Sequence, residues 1–279
     1  MSEIKSNDSG KRRGIYLLPN LFTTAALFSG FYAVVASMNG HFEAGAIAIF
    51  VAMIFDGLDG RIARLTGTES AFGAEYDSLS DMVSFGIAPA LVSYNWALSG
   101  LGKFGWLASF IFAVSAALRL ARFNTQVGKA DKHFFQGLAS PSAAAIVAGM
   151  VWLGQDLSLD RHHLDVIAAL ITICSGLLMV TNFRYHSFKG IDLKGRVPFV
   201  VVLLMVLIIV VIALRPPLVL FLVFSIYAIS GPIYTIRAVR KLKHERFSAD
   251  NDEKGSDEAV DGIDENSPSA SEPSKKSDE

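Results

Sequence analysis

Eight apolar runs separated by short polar intervals cover most of the chain, near 16–37, 42–57, 82–99, 104–121, 141–157, 164–182, 197–213 and 217–236. Each holds roughly 16–22 residues, about what a helix needs to cross a hydrocarbon layer of ~30 Å. A lone segment in lipid must satisfy its own backbone hydrogen bonds, so helices are predicted throughout. The pattern predicts an all-α integral membrane protein with about eight transmembrane helices. The first run follows Lys11, Arg12 and Arg13 but lacks a small-residue cleavage site followed by a polar mature sequence. It is read as a retained first span rather than a signal peptide.

Charge orients the spans. With the N-terminus inside, only Lys103, Arg161 and Arg215 of the 25 Lys and Arg residues fall outside, which supports both the orientation and the even span count. The composition, 52% apolar over 279 residues, lies outside the usual range of soluble domains. The formal net charge of -1 hides an asymmetry. Residues 250–279 hold 11 acids and 3 bases, while the remainder is basic. That acidic stretch has no aromatics and no apolar periodicity, so it cannot bury enough surface to offset chain ordering. The expected organisation is a cytoplasmic N-terminal segment 1–15, a transmembrane domain 16–243 and a disordered tail 244–279. The single cysteine, Cys174, lies within the sixth run, has no intrachain disulfide partner, and is read as a small core-filling residue. No solenoid repeat, GxGxxG, Walker loop or zinc-type Cys/His cluster occurs, and no nucleic-acid partner is expected.

The chemical signal sits where the second run ends. After Phe55 the chain reads DGLDGRIAR, placing Asp56, Asp59, Gly60, Ala63 and Arg64 at helical spacings of 3, 4, 7 and 8 from the first aspartate. The third run is preceded by Gly73, Asp77 and Asp81 at four-residue intervals, again one helical face. Carboxylates crowded at a membrane interface repel one another and carry a desolvation cost of several kcal/mol, which a bound cation relieves. Carboxylate oxygens without His or Cys suit Mg²⁺ or Mn²⁺, and four aspartates suffice for two ions with shared ligands. The competing readings are structural salt bridges to Arg61 and Arg64, or an ion path.

The stretch from Asp56 to Asp81, DGLDGRIARLTGTESAFGAEYDSLSD, resembles the signature of the CDP-alcohol phosphatidyltransferases, D-x2-D-G-x2-A-R-x8-G-x3-D-x3-D, at every fixed position. The resemblance implies a six-helix membrane core, usually homodimeric. It further implies that Asp56, Asp59 and Asp77 ligate metal, that Asp81 contacts a second metal and accepts a proton, and that Gly60, Arg64 and Gly73 seat the CDP group. Small residues at 60, 63 and 73 leave room for a nucleotide, and Arg64 can fork onto phosphate. Ser70 offers a hydroxyl. The family also places part of the nucleotide pocket along the first span, where Asn20 and Thr23 are candidates, against the simpler reading that they cap a helix.

The signature fixes donor and reaction but not the acceptor alcohol. RLARFN at 119–124, HFFQGLASPSAAA at 133–145 and TNFRYHSFKG at 181–190 resemble the phosphatidylserine synthase branch, with departures at Ala139 and Ser142. That resemblance implies transfer of the phosphatidyl group from CDP-diacylglycerol to L-serine, releasing CMP, at the cytoplasmic side of a bacterial inner membrane. Arg119, Arg122 and Asn124 are candidates for holding the serine carboxylate or donor phosphate, or the arginines simply anchor a span end. The alternatives are another acceptor such as glycerol 3-phosphate or inositol phosphate, a multispan cation-coupled transporter, and a non-catalytic lipid-binding relative.

Overall fold

The computed structural model describes residues 9–126, 134–158, 161–186, 199–237 and 240. The acidic segment 244–279, residues 1–8, Ser187 and Lys189 lie outside the described residues. Among the described residues the chain forms α1 (Ser9–Met38), α2 (Phe42–Thr66), α3 (Ala71–Asp81), α4 (Ala88–Trp96), α5 (Lys103–Gln126), α6 (Ser140–Asp156), α7 (Arg161–Val180), α8 (Phe199–Leu214) and α9 (Pro216–Arg237). Among the described residues each apolar run falls mainly on helix. Leu17–Met38, Lys103–Thr125 and Pro216–Arg237 are long and apolar enough to cross a membrane, and Leu164–Val180 and Val200–Leu214 are shorter apolar helices. In α2 the apolar run also carries Glu43, Asp56 and Asp59, a charge load that marks a functional helix more than a lipid anchor.

The core mixes many small side chains with a few large ones such as Phe85, Phe112 and Leu138. Ala33, Ala46, Ala52, Ala88, Ala116 and Ala143 are essentially fully buried, whereas large apolar residues such as Leu21, Phe28, Phe31, Phe110 and Ile167 point outward. This inverts the pattern of a water-soluble bundle. Lipid solvates large apolar groups as well as a protein interior does, so helices in a membrane gain by close backbone approach at small residues and by interhelical hydrogen bonds. The chain is an all-α membrane protein by this packing. Buried hydroxyls act between helices: Ser80 and Ser84 donate to the carbonyls of Thr23 and Ala26 on α1, each at 3.1 Å. A Cβ at Gly30 would lie 2.6 Å from the Ser84 hydroxyl, so only glycine permits that approach. Cys174 does not fill the core as expected. It is exposed on α7, while its neighbours Ser175 and Thr172 take the inward face.

Helix α3 runs into α4 through a π-helical segment, Met82–Ile87. The sequence supplies the reason. Pro89 lacks an N–H, and in a regular α-helix its ring would press on the Phe85 carbonyl. The wider turn, in which the Ala88 N–H reaches back to Val83, relieves that crowding, and such turns are common beside functional sites.

A two-stranded antiparallel ladder joins the loops after α5 and α7: β1 (Phe134–Gln136) pairs with β2 (Arg184–His186), Phe135 opposite Tyr185. Among the described residues these three-residue strands are the only β-structure in a fold expected to be all-α. Their backbone groups leave helices at both ends and would otherwise have no partners. The Gly137 N–H extends the ladder to the Phe183 carbonyl at 2.9 Å. Gly137 has φ +80°, and a Cβ there would sit 2.3 Å from the Met179 carbonyl oxygen. Gly137→Ala is therefore expected to destabilise the fold by roughly 1–3 kcal/mol or more, read as a lower unfolding temperature of the detergent-purified protein.

Candidate active site

Helix α2 does not stop at the membrane boundary. It continues unbroken through DGLDGRIAR to Thr66 and ends at Gly67, which adopts the left-handed conformation (φ 62°) that glycine takes without strain. Ser70 then caps α3 by accepting the Gly73 N–H at 3.0 Å. After the short turn α3 packs against α1, and its Asp77 faces the end of α2. Residues far apart in the motif thereby meet: carboxylate oxygens of Asp56, Asp59 and Asp77 all lie within 4.8 Å of one another, a group able to hold a metal ion.

Each carboxylate has its own surroundings. Asp59 is buried and accepts a hydrogen bond from the Thr23 hydroxyl at 2.7 Å. Asp77 is half-buried on α3, ahead of the third span, and its Oδ1 is enclosed without a hydrogen-bond partner among the described residues. Burial, and then the charges of Asp59 and Asp56, push the Asp77 carboxyl up to about 7. Asp81 lies outside the three-residue group but within hydrogen-bond reach of Asp56, and two carboxylates at that range must share a proton or a cation. An all-oxygen donor set with an enclosed oxygen suits a hard divalent cation better than a softer metal.

The remaining candidates surround this group unequally. Thr23 is no helix cap, since α1 begins at Ser9; its hydroxyl lies 3.2 Å from the Pro19 carbonyl as well as bonding Asp59. Asn20 faces α3, where a Cβ on Gly73 would come within 3.5 Å of its Oδ1. Gly60 leaves open space whose nearest neighbour is the Arg64 guanidinium, 3.7 Å from where a Cβ would sit. The Ser70 hydroxyl oxygen is engaged as the cap. On α5, Arg119 Nη1 donates to the Ser140 hydroxyl at 2.6 Å, while its Nε–H is enclosed without a partner among the described residues. The Arg119 charge also interacts with Asp81. Arg122 is half-buried one turn further along α5, and Asn124 Nδ2 donates to the Ser78 hydroxyl at 3.0 Å, tying α5 to α3.

Residues not singled out from sequence also belong here. Tyr76 and Thr24 hydroxyls lie 2.9 Å apart, and Ser78 and Ser140 partner the α5 candidates. Spacing gave no sign of them, because each is a common residue whose role depends on which helix packs opposite.

Carboxylates from α2 and α3 thus converge, in a helical membrane protein, into a group able to hold a metal ion. Residues 16–181 match the CDP-alcohol phosphatidyltransferase family, and the chain belongs to that family. The curated relatives include the CDP-diacylglycerol--serine O-phosphatidyltransferase of Helicobacter pylori strain J99, 35% identical over 228 residues that cover 82% of this chain and 94% of that protein. The protein of the same name from Mycobacterium leprae is 28% identical over 76% of this chain and 72% of its own length. The archaetidylserine synthase of Methanothermobacter thermautotrophicus is 33% identical over 62% of this chain and 71% of its own length.

Proposed function

We propose that this chain transfers the phosphatidyl group of CDP-diacylglycerol to the hydroxyl of L-serine, producing phosphatidylserine and CMP. The carrying observation is the convergence of Asp56, Asp59 and Asp77 within 4.8 Å, beside Asp81 and the partly unpartnered Arg119. The names of the relatives from Helicobacter and Mycobacterium support serine as acceptor. The catalytic unit is residues 16–243, in a bacterial inner membrane, with the aspartates on the cytoplasmic side. A homodimer is the proposed assembly.

Asp56, Asp59 and Asp77, with Asp81 as a shared ligand, would hold one or two Mg²⁺ or Mn²⁺ ions. Ions bound there would neutralise the diphosphate and lower the cost of charge on departing CMP. Gly60 and Gly73 admit the nucleotide against backbone, Arg64 pairs with phosphate oxygens, and Asn20, Thr23 and Ser70 shape the rim facing α1 and α3. The acyl chains stay in the bilayer between spans.

Asp81 takes the proton of the serine hydroxyl as that oxygen attacks the phosphorus bonded to diacylglycerol. The new P–O bond forms, the bond to CMP breaks, and CMP leaves with the electron pair. Arg119 receives the serine carboxylate through its Nε–H, with Arg122 and Asn124 bordering the same space. A zwitterionic acceptor needs such a cation because its carboxylate loses water on entry.

A panel of alcohols offered with CDP-diacylglycerol and Mn²⁺ tests the reading. CMP release is expected with serine and to be at least about tenfold slower with glycerol 3-phosphate or inositol phosphate, a difference of ~1.4 kcal/mol in transition-state binding. Release that ignores serine but follows another alcohol would overturn the acceptor assignment.

A further inference from the structure

Tyr76, Ser80 and Ser84 stand at four-residue intervals along α3 and the π-helical segment that follows it, and all three bond to α1. The Tyr76 hydroxyl lies 2.9 Å from that of Thr24. Thr24 gives its own proton to the Asn20 carbonyl at 2.7 Å, so Tyr76 is the donor. Ser80 donates to the Thr23 carbonyl and Ser84 to the Ala26 carbonyl. Residues four apart share one helical face, so this row of hydroxyls fixes the rotation of α3 about its own axis. Asp77 follows Tyr76 in sequence and Asp81 follows Ser80, and their direction is fixed with it.

The middle rung reaches a third helix. Thr23 is buried, and its hydroxyl has one proton with two oxygens in reach, Asp59 Oδ2 at 2.7 Å and the Pro19 carbonyl at 3.2 Å. The shorter bond is to a carboxylate, and charge-assisted bonds are the stronger, so the proton goes to Asp59. Threonine is stiff about χ1 in a helix, which makes the direction of this hydroxyl a property of α1. A single residue therefore grips α2 through its side chain and α3 through its carbonyl. A buried hydroxyl already committed to Asp59 is not offered to a nucleotide.

We propose that Thr23 is a positioning residue of the cation site, holding the Asp59 carboxylate in register with Asp77 and Asp81 by bonding one acidic face through its hydroxyl and the other, by way of Ser80, through its backbone. Resting on the reading of these aspartates as cation ligands, this role takes Thr23 off the nucleotide rim and puts it behind a ligand. Groups that orient a ligating carboxylate in this way set metal affinity without touching substrate.

Mn²⁺ binding to the full chain in detergent, followed by loss of the free-ion electron paramagnetic resonance signal, is the test. Thr23→Val keeps the branched shape, deletes the hydroxyl and is expected to raise the Mn²⁺ dissociation constant by about 10–100-fold. Thr23→Ser keeps the hydroxyl with looser rotation and is expected to bind within about threefold of the unaltered chain. In an Asp59→Asn background Thr23→Val should change the constant by less than about twofold, since a residue acting through Asp59 then has nothing to act on. Excess Mn²⁺ should return CMP release by Thr23→Val to within about threefold of the unaltered chain, with KM for CDP-diacylglycerol unchanged. An unchanged Mn²⁺ constant in Thr23→Val overturns the proposal, and so does equal weakening in Thr23→Ser or an undiminished effect in the Asp59→Asn background. A raised KM for CDP-diacylglycerol that excess Mn²⁺ does not correct also overturns it and returns Thr23 to the nucleotide. Should Thr23→Val not fold, Ser80→Ala carries the test, because it frees the Thr23 carbonyl, and an unchanged Mn²⁺ constant there overturns the proposal equally. Absence of Mn²⁺ binding by the unaltered chain removes the cation reading and this role together, whereas normal binding that ignores Thr23→Val removes the role alone.

Discussion

Asp81→Asn is expected to lower CMP release at saturating substrates by about 10²–10⁴-fold, the usual contribution of a positioned general base, while the protein remains folded. The substitution preserves shape. Asp81 lies within hydrogen-bond reach of Asp56, and an amide can donate to that carboxylate where a second carboxylate cannot. The local structure therefore keeps the Asp56 contact and sheds a like-charge repulsion, which offsets the lost attraction to Arg119. What disappears is the proton acceptor for the attacking hydroxyl. Turnover measured as CMP, alongside thermal unfolding in detergent, checks both halves, and full serine-dependent release by the variant would remove Asp81 from the mechanism.

Asp77→Asn is expected to separate stability from function. In the metal-free protein the Asp77 carboxyl is pushed up to about 7 by burial and by Asp59 and Asp56, above its unfolded value. A carboxyl with a raised folded pKa contributes stability that is present at acid pH and lost as pH climbs from the ordinary carboxylate range towards 7. Replacing it with a neutral amide removes that loss, so metal-free Asp77→Asn should unfold a few degrees higher than the unaltered chain at pH 8. The same change deletes one of three converging ligands. Mn²⁺ should no longer raise the unfolding temperature, as ligand linkage requires when binding is lost, and CMP release should fall by at least about 10²-fold. A variant still stabilised by Mn²⁺ to the full extent would place the ion elsewhere.

Both expectations rest on residues legible in the sequence. The apolar runs mapped onto helices because lipid leaves a lone segment one way to satisfy its backbone. The aspartate faces were readable because helical periodicity is local: Asp56 and Asp59, or Asp77 and Asp81, share a face whatever surrounds them. The π-helical turn was not read in advance, although Pro89 was in plain view, since a proline inside a helix can be met by a kink, a break or a wider turn. The role of Thr23 was open between cap and site because where α1 starts depends on residues upstream of the apolar run. The misplacement of Cys174 has a similar origin. Hydropathy alone does not tell the lipid face from the protein face of a span, because both are apolar.

By itself the sequence determined the class of protein and the two helical faces that carry the four aspartates, both consequences of short-range pattern and of the solvent the chain must enter. Tertiary structure alone decided that three of those aspartates form one group while Asp81 pairs with Asp56. It alone decided that Thr23 belongs to Asp59, that Arg119 reaches Ser140, and that Tyr185 reaches the Ala228 carbonyl. Those relations join residues tens of positions apart. They depend on how small side chains let helices approach, and no local period records that.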